Sequence, residues 1–236
     1  TELGMRSVFT YVRSAATTVT AGLEFSRTRF DNNLTQTGLD TLYVFDAQDY
    51  RIDPAANYLL RPPEFVNAHF DASKSLLSAF GEWSLSPSAR FTVNAGLRYD
   101  YSEFNGRSYL APRLSATYRL DTRTRLNLAG GLFYQTPNID VIATAPRNQN
   151  LANEHAYHLI GGLTRYVRDD LKFTAETYYK QYEDLIVRPD RGRPDRTNAG
   201  DGWAAGADFS LIKRFIDRFY GQVNYSCARS RRDDRD

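Results

Sequence analysis

The stretch Arg90–Asp100 (RFTVNAGLRYD) alternates strictly between two kinds of side chain. Phe91, Val93, Ala95, Leu97 and Tyr99 fall on one face, and Arg90, Thr92, Asn94, Gly96, Arg98 and Asp100 fall on the other. A β-strand sends successive side chains to opposite sides of its pleat, so this period of two predicts a strand. The severity of the split constrains the fold further. One face is wholly apolar and ends in an aromatic, while the other carries charges. A single strand of this kind fits a soluble sandwich as well as a membrane wall. A long series of them predicts a barrel with lipid outside and water inside.

Such a series runs the length of the chain. Strands are predicted over Thr1–Arg13, Thr18–Phe30, Lys74–Leu85, Arg90–Asp100, Ala111–Leu120, Arg125–Gln135, Glu154–Tyr166 and Leu171–Glu183. Two more are predicted around Trp203–Leu211 and Phe219–Cys227, making about ten. Glu154–Tyr166 holds apolar residues on both faces, so its orientation stays open. Short turns (Ser14–Thr17, Ser86–Ala89, Asp121–Thr124, Val167–Asp170, Arg214–Asp217) alternate with longer connections. The connection Tyr101–Leu110 is of medium length, and residues 31–73, 136–153 and 184–198 read as long loops. Tight turns at one end and long loops at the other are the asymmetry of outer-membrane barrels. The charges within the strands (Glu24, Arg98, Arg113, Lys172, Glu176, Asp208) all fall opposite the apolar face. Arg or Lys facing lipid at the midplane costs roughly 2–4 kcal/mol, so a lipid-facing stripe must be clean.

Composition fits this reading. Apolar residues make up 42% and mean hydropathy is −0.54, so no stretch resembles a spanning helix. Barrel alternation averages to polar in any hydropathy window, so a membrane remains open. The chain has 16 Tyr and 14 Phe, the aromatic enrichment that suits interfacial girdles. A net charge of +2 argues against nucleic acid as a partner. Cys227 is the single cysteine, so neither an intrachain disulfide nor a thiolate metal cluster is expected. The first residues, TELGMRSVFTY, lack the pattern of a secretory signal, so the start of an exported protein would lie elsewhere.

The ordered strands resemble the barrel of a TonB-dependent outer-membrane receptor. The resemblance rests on FGEWSLSPSARFTVNAGLRYD (Phe80–Asp100), APRLSATYRL (Ala111–Leu120), GGLFYQTP (Gly130–Pro137) and NLANEHAYHLIGGL (Asn150–Leu163). It continues through ETYYKQYEDLIV (Glu176–Val187), NAGDGWAAGADFSLIKRF (Asn198–Phe215) and YGQVNYSCARSR (Tyr220–Arg231), covering about two-thirds of the chain. The wording is most similar to receptors that carry a carboxypeptidase-regulatory-like domain. The resemblance implies an all-β, antiparallel, up-and-down transmembrane barrel of about 22 strands, filled by a plug. It implies location in the bacterial outer membrane, contact with its lipid, and uptake energised through TonB and an inner-membrane complex. The imported ligand (a siderophore, oligosaccharide or peptide) is left open, and no cofactor is implied. The family pattern also has a plug, a TonB-contacting segment and a closing strand with a terminal aromatic. None is apparent here, so residues 1–236 are expected to be an internal piece of a larger barrel. Alone, such a piece would have two unpaired edges and be prone to aggregate.

Candidate site residues fall in two groups. Arg98, Asp100, Arg113, Lys172, Glu176 and Lys180 share the polar face and could hold a plug or guide a ligand; a plain cross-strand salt-bridge ladder is the blander reading. Arg188, Arg191, Arg193 and Arg196 crowd one loop with two aspartates and could attract an anion, or simply stay solvated. His155 and His158 are three apart, which puts them on opposite faces of a strand and disfavours a shared metal. The pairs Gly130–Gly131 and Gly161–Gly162 lack the strand–loop–helix setting of a phosphate loop and suit barrel curvature instead. No spacing suggests a Ser–His–Asp set, so transport is expected rather than catalysis.

Two other readings stay open: a complete ten-stranded barrel acting as a pore or surface enzyme, and a soluble β-sandwich that binds carbohydrate. The charged tail SRRDDRD makes a poor terminal strand for the former. The face assignment can be tested directly. In a membrane-assembly assay, Leu97→Arg should block insertion, whereas Arg98→Leu should be tolerated far better; equal tolerance would overturn the assignment.

Overall fold

The computed structural model describes residues 2–38, 41–42, 58–59, 64–103, 105–138, 141–142, 145–188, 195–216 and 219–234, with backbone alone for 30–38, 41–42, 58–59, 64–72 and 146. Ten long strands form one antiparallel sheet: β1 (Glu2–Ser14), β2 (Thr17–Gly38), β5 (Glu64–Ser88), β6 (Phe91–Ser102), β7 (Arg107–Arg119), β8 (Thr124–Gln135), β9 (Glu154–Arg168), β10 (Leu171–Val187), β11 (Thr197–Lys213) and β12 (Gly221–Asp234). Each pairs with its neighbours in the chain. The short β3 (Thr41–Leu42) and β4 (Tyr58–Leu59) pair separately within the β2–β5 connection.

Register converts the alternation of single strands into two continuous surfaces. One row of partners reads Val19, Trp83, Ala95, Leu114, Gly130, Leu159, Tyr179, Ala205. The row on the other face reads Thr20, Glu82, Gly96, Arg113, Gly131, His158, Lys180, Ala204. The apolar surface is bare: Trp83, Leu97, Leu114, Leu128 and Leu159 are each about half exposed. A sandwich would cover this face with a second sheet, so the soluble reading fails. The sheet order runs from β1 to β12 without pairing the two, so these ten strands do not close on themselves. β9 also loses its ambiguity. Tyr157, Leu159, Gly161 and Leu163 join the apolar surface, and Ile160 lies on the polar one beside Tyr178.

The short-turn edge is stitched between hairpins. The amides of Ser86, Arg119, Tyr166 and Arg214 donate to the carbonyls of Ala16, Arg90, Arg123 and Asp170, at 2.7–2.9 Å. Each turn therefore satisfies its orphan carbonyl on the next hairpin, and this fixes the stagger between hairpins.

The opposite edge departs from the sequence expectation. The β2–β5 ladder runs from Thr17↔Leu85 up to Gly38↔Glu64, so much of residues 31–73 is strand rather than loop. β10 and β11 likewise reach Val187 and Thr197, and the medium connection shrinks to the turn between Ser102 and Arg107. The charged tail also pairs, with Gly200↔Asp234 ending the β11–β12 ladder. Beyond the lipid both faces of a hairpin meet water, so the backbone ladder persists after the alternation has gone. Where β7 meets β8 the ladder stops at Arg113↔Gly131, next to Pro112, which has no N–H to offer.

At the short-turn edge, the hydrogen bond from Lys213 holds the Asp170 carboxyl below its ordinary range, with help from the Lys213 and Arg168 charges. A lowered folded-state value means the contact stabilises above the usual aspartate range and is lost as pH falls through it. Asp170→Asn should therefore lower resistance to denaturant at pH 7. The gap between the variant and the natural chain should narrow as pH drops below about 4. A gap independent of pH would show that the carboxylate charge is not what anchors this turn.

Candidate functional site

The polar face carries one connected ionic network. Glu24, Ser78 and Asp100 are register partners on β2, β5 and β6, and Arg98 reaches them from the next pair down. Its guanidinium donates to Glu24 Oε2 at 3.2 Å, to Asp100 Oδ1 at 2.8 Å and to Ser78 Oγ at 2.8 Å. The Ser78 hydroxyl, fully buried, donates in turn to Asp100. One arginine thus ties three strands. Removing it would leave two carboxylates facing each other, so Arg98→Leu has a cost that the strand pattern alone does not reveal.

Three further cations on this face lie over aromatic rings. Arg6 sits 5.2 Å from the Phe80 ring centre, Arg113 4.6 Å from Phe133 and Lys180 5.1 Å from Tyr178. Glycine makes room for two of these rings. A Cβ at Gly22 would meet the Phe80 ring at 2.4 Å, and one at Gly206 would meet the Tyr178 hydroxyl at 2.6 Å. Rings and cations therefore lie along the wall.

A polar-face cavity of about 220 Å³ opens beside Arg113. Phe133, stacked on His158 at 4.5 Å, forms one side, while Glu82, Asn94 and Ser115 contribute the other polar groups. Asn94 donates to Ser115 at 3.1 Å. This leaves a recess lined by one acid, Glu82, and one permanent cation, Arg113, beside the Phe133–His158 stack.

The sequence-derived residues are distributed unevenly. Arg98 and Asp100 join in the network, Arg113 stacks on Phe133, and Lys180 stacks on Tyr178. Lys172, Glu176 and Lys180 share a face of β10 without forming a ladder among the described residues. Glu176 lies opposite Asp208, a like-charge pair. Of the loop arginines, the Arg196 amide donates to Asn148 Oδ1 at 2.8 Å and Arg188 is exposed; Arg191 and Arg193 lie outside the described residues. His155 and His158 occupy opposite faces. His155 contacts Glu183 and Asp184, each at 3.2 Å. Among the described residues no three His, Cys, Asp or Glu groups gather to hold a metal.

The sequence reading weighed His158 only as a metal ligand and missed its stack on Phe133, because that contact depends on the β8–β9 register. It also missed an ordered platform at the outer edge. A 3₁₀ turn, Pro146–Asn150, sits in the 136–153 connection over a small core of Ile142, Ala145, Leu151 and Val187. Asn148, fully buried, donates to the Val141 carbonyl at 2.7 Å while accepting from Arg196. Asn198 pairs with both backbone groups of Ala152 and donates to the Asp184 carbonyl. Asn105 donates to Asn153, and Arg107 to the Asn150 carbonyl. Three outer connections are thereby fastened together.

A family model, TonB dependent receptor-like, beta-barrel, matches residues 4–236. The chain belongs to the TonB-dependent receptor β-barrel family. Solved TonB-dependent receptor barrels share its fold. The siderophore receptor PirA from Pseudomonas aeruginosa superposes with a TM-score of 0.72 at 14% identity, covering 97% of this chain and 40% of that one. The outer membrane transporter YddB from Escherichia coli gives 0.68 at 13%, covering 98% and 33%. The copper transporter OprC gives 0.69 at 18%, covering 97% and 36%. The chain thus spans well under half the length of these structures. No curated protein matches it in sequence. Family barrels lie in the bacterial outer membrane and belong to transporters rather than enzymes, and the bare apolar surface is this chain's lipid-facing side.

The Asn148 clasp gives a measurable expectation. Asn148→Ala leaves a carbonyl and an amide without their buried partner, at about 1–3 kcal/mol. Limited proteolysis should then cut within residues 136–153 sooner, with the strands unaffected. An unchanged cutting rate would show that the platform does not rely on this side chain.

Proposed function

We propose that this chain is a wall segment of an outer-membrane receptor that takes up a scarce or large ligand, energised through TonB and an inner-membrane complex, with a plug inside the barrel. The carrying observation is family membership over residues 4–236, joined to a polar face too charged to meet lipid. On this reading Arg98, Asp100, Arg113, Lys172, Glu176 and Lys180 face the lumen. Arg98 holds the wall together, while Glu176 and Asp208 present uncompensated negative charge to whatever fills the barrel. The recess beside Arg113, with Glu82 opposite, suits a group of mixed charge on the plug or on a passing ligand. Arg188, Arg191, Arg193 and Arg196 belong to the ligand-facing loops. The named solved structures include a siderophore receptor and a copper transporter, and this range leaves the ligand class open.

The test uses the intact protein in its own membrane. Uptake of labelled ligand candidates is compared in cells with and without the energising complex, and with Arg113→Glu at matched barrel abundance. Uptake should vanish without the complex and fall severalfold in Arg113→Glu. Influx that persists without the complex would mean a passive pore and overturn the proposal.

A further inference from the structure

The outer end of β10 breaks the strand rule that governs the rest of the wall. Consecutive strand residues leave opposite faces, yet Glu183 and Asp184 both reach the same side chain, His155. Two departures allow this. The β10–β11 register shifts between Tyr182 and Leu185 and again between Leu185 and Val187. Asp184 also lies in the left-handed region, with a φ of 55°, the one residue other than glycine to do so among the described residues. Aspartate tolerates that region better than most side chains, and such a conformation persists where its surroundings hold it.

The holding groups come from β9. Glu154 Oε1 accepts from the Ile186 amide at 2.8 Å. His155 presents Nε2 to Glu183 Oε2 and Nδ1 to Asp184 Oδ2, each at 3.2 Å, and the first contact has hydrogen-bond geometry. The imidazole is only 14% exposed, while each carboxylate is about half exposed. Tyr134 of β8 and Tyr157 of β9 pack their rings at 5.7 and 5.6 Å from it, and Tyr109 of β7 lies against Tyr134. Arg232 of β12 donates to the Ile186 carbonyl, and Asn198 of β11 to that of Asp184.

These contacts suit one charge state of the ring. A neutral imidazole has a proton on one nitrogen and a lone pair on the other. In either tautomer, one carboxylate oxygen would then face a lone pair at 3.2 Å. The imidazolium has a proton for each side and offsets the repulsion between the adjacent acids. Glu183 stands twelve residues along β10 from Leu171, roughly 30 Å from the short-turn edge for a tilt near 40°. That is beyond an apolar band about 25 Å tall, so the external medium sets this ring's charge.

We infer that His155 is an acid-closed latch on the outer end of β10. With the ring charged, it binds both Glu183 and Asp184 and keeps the bulge between them and Val187. Val187 belongs to the small buried core, and the arginine-bearing connection begins directly after it. With the ring neutral, one carboxylate is expelled and the bulge loosens. The closed form holds one proton more than the open form. Closure therefore weakens as pH rises through the range, about 5 to 8, in which histidines change charge. It also weakens below about pH 4, where the carboxylates themselves protonate. The inference rests on the geometry of one cluster and not on transport, so it can fail or stand separately from the receptor reading.

The experiment follows hydrogen exchange by mass spectrometry in the intact protein, purified in mild detergent. The series runs from about pH 5.5 to 8.5, with rates corrected for the intrinsic pH dependence of amide exchange. Protection of the Ile186 and Val187 amides should fall severalfold across the series, with about tenfold per pH unit as the ceiling for release of one proton. Amides from Leu159 to Leu163, in the middle of β9, should keep their protection. In His155→Gln, whose side chain carries no charge at any of these pH values, the fall should disappear. Asp184→Asn keeps the tolerance for left-handed backbone but removes the second carboxylate, so the fall should shrink. A flat profile in the natural protein would overturn the proposal, and that result does not require any variant to fold. An undiminished fall in His155→Gln would overturn it as well, because the titrating group would then lie elsewhere.

Discussion

A wall with lipid on one side must satisfy every backbone polar group within itself and present only apolar side chains outward. Both demands act on the same variable, the register. A slip of one residue in any strand would turn Arg98 or Lys172 into lipid and Leu97 or Phe173 into the lumen. The stitched turns reduce the freedom to slip. Because the carbonyls of Ala16, Arg90, Arg123 and Asp170 are each bonded to the following hairpin, moving one hairpin breaks a contact at the rim as well as its ladder. The identity of the side chains and the geometry of the turns therefore select the same arrangement.

The polar face obeys a looser rule, and its chemistry reflects that. Water tolerates either charge, so pairing is not compulsory there, and an exposed or half-buried pair contributes about 0–1 kcal/mol. The structure accordingly mixes three solutions. Arg98 is fully engaged by Glu24, Asp100 and Ser78. Arg6, Arg113 and Lys180 lie against aromatic rings. Glu176 and Asp208 face each other, with no ion pair to either among the described residues. A surface selected only for the stability of the sheet would have little reason to keep the last arrangement. A surface that must complement something in the lumen would.

The parts legible in the sequence are those governed by lipid. Wherever a strand crosses the apolar band, its period of two is enforced, and Phe91–Tyr99 or Phe173–Tyr179 reveals both the strand and its orientation. Outside the band the enforcement ends. The paired run from Asp31 to Gly38 looks like loop because both its faces can be polar, and the tail Ser230–Asp234 looks too charged to be strand for the same reason. The site was legible by face but not by partner. Arg113 and Lys180 could be assigned to the polar side from alternation, yet Phe133 and His158 enter only through cross-strand register. A stack between residues 25 apart in the chain has no local signature. The Asn148 clasp was hidden too, since an asparagine in a loop usually signals a turn, and its partners, the Val141 carbonyl and the Arg196 amide, lie 7 and 48 residues away in the chain.

The same band divides the chain's chemistry along its vertical axis. Below it, the rim is closed by backbone bonds between hairpins and by the Lys213–Asp170 pair. Within it, each strand separates an inert outer stripe from a charged inner one. Above it, side chains no longer answer to lipid, and the chain there builds a small core of its own from Ile142, Ala145, Leu151 and Val187. These apolar residues are buried within the protein rather than laid bare like the stripe below, and the loop beside them is held by the hydrogen bonds of Asn148 and Asn198. On the proposed receptor reading, a ligand arriving from outside would first meet this surface. Variation in the outer connections can then alter what is recognised without disturbing the alternation that keeps the wall in the membrane.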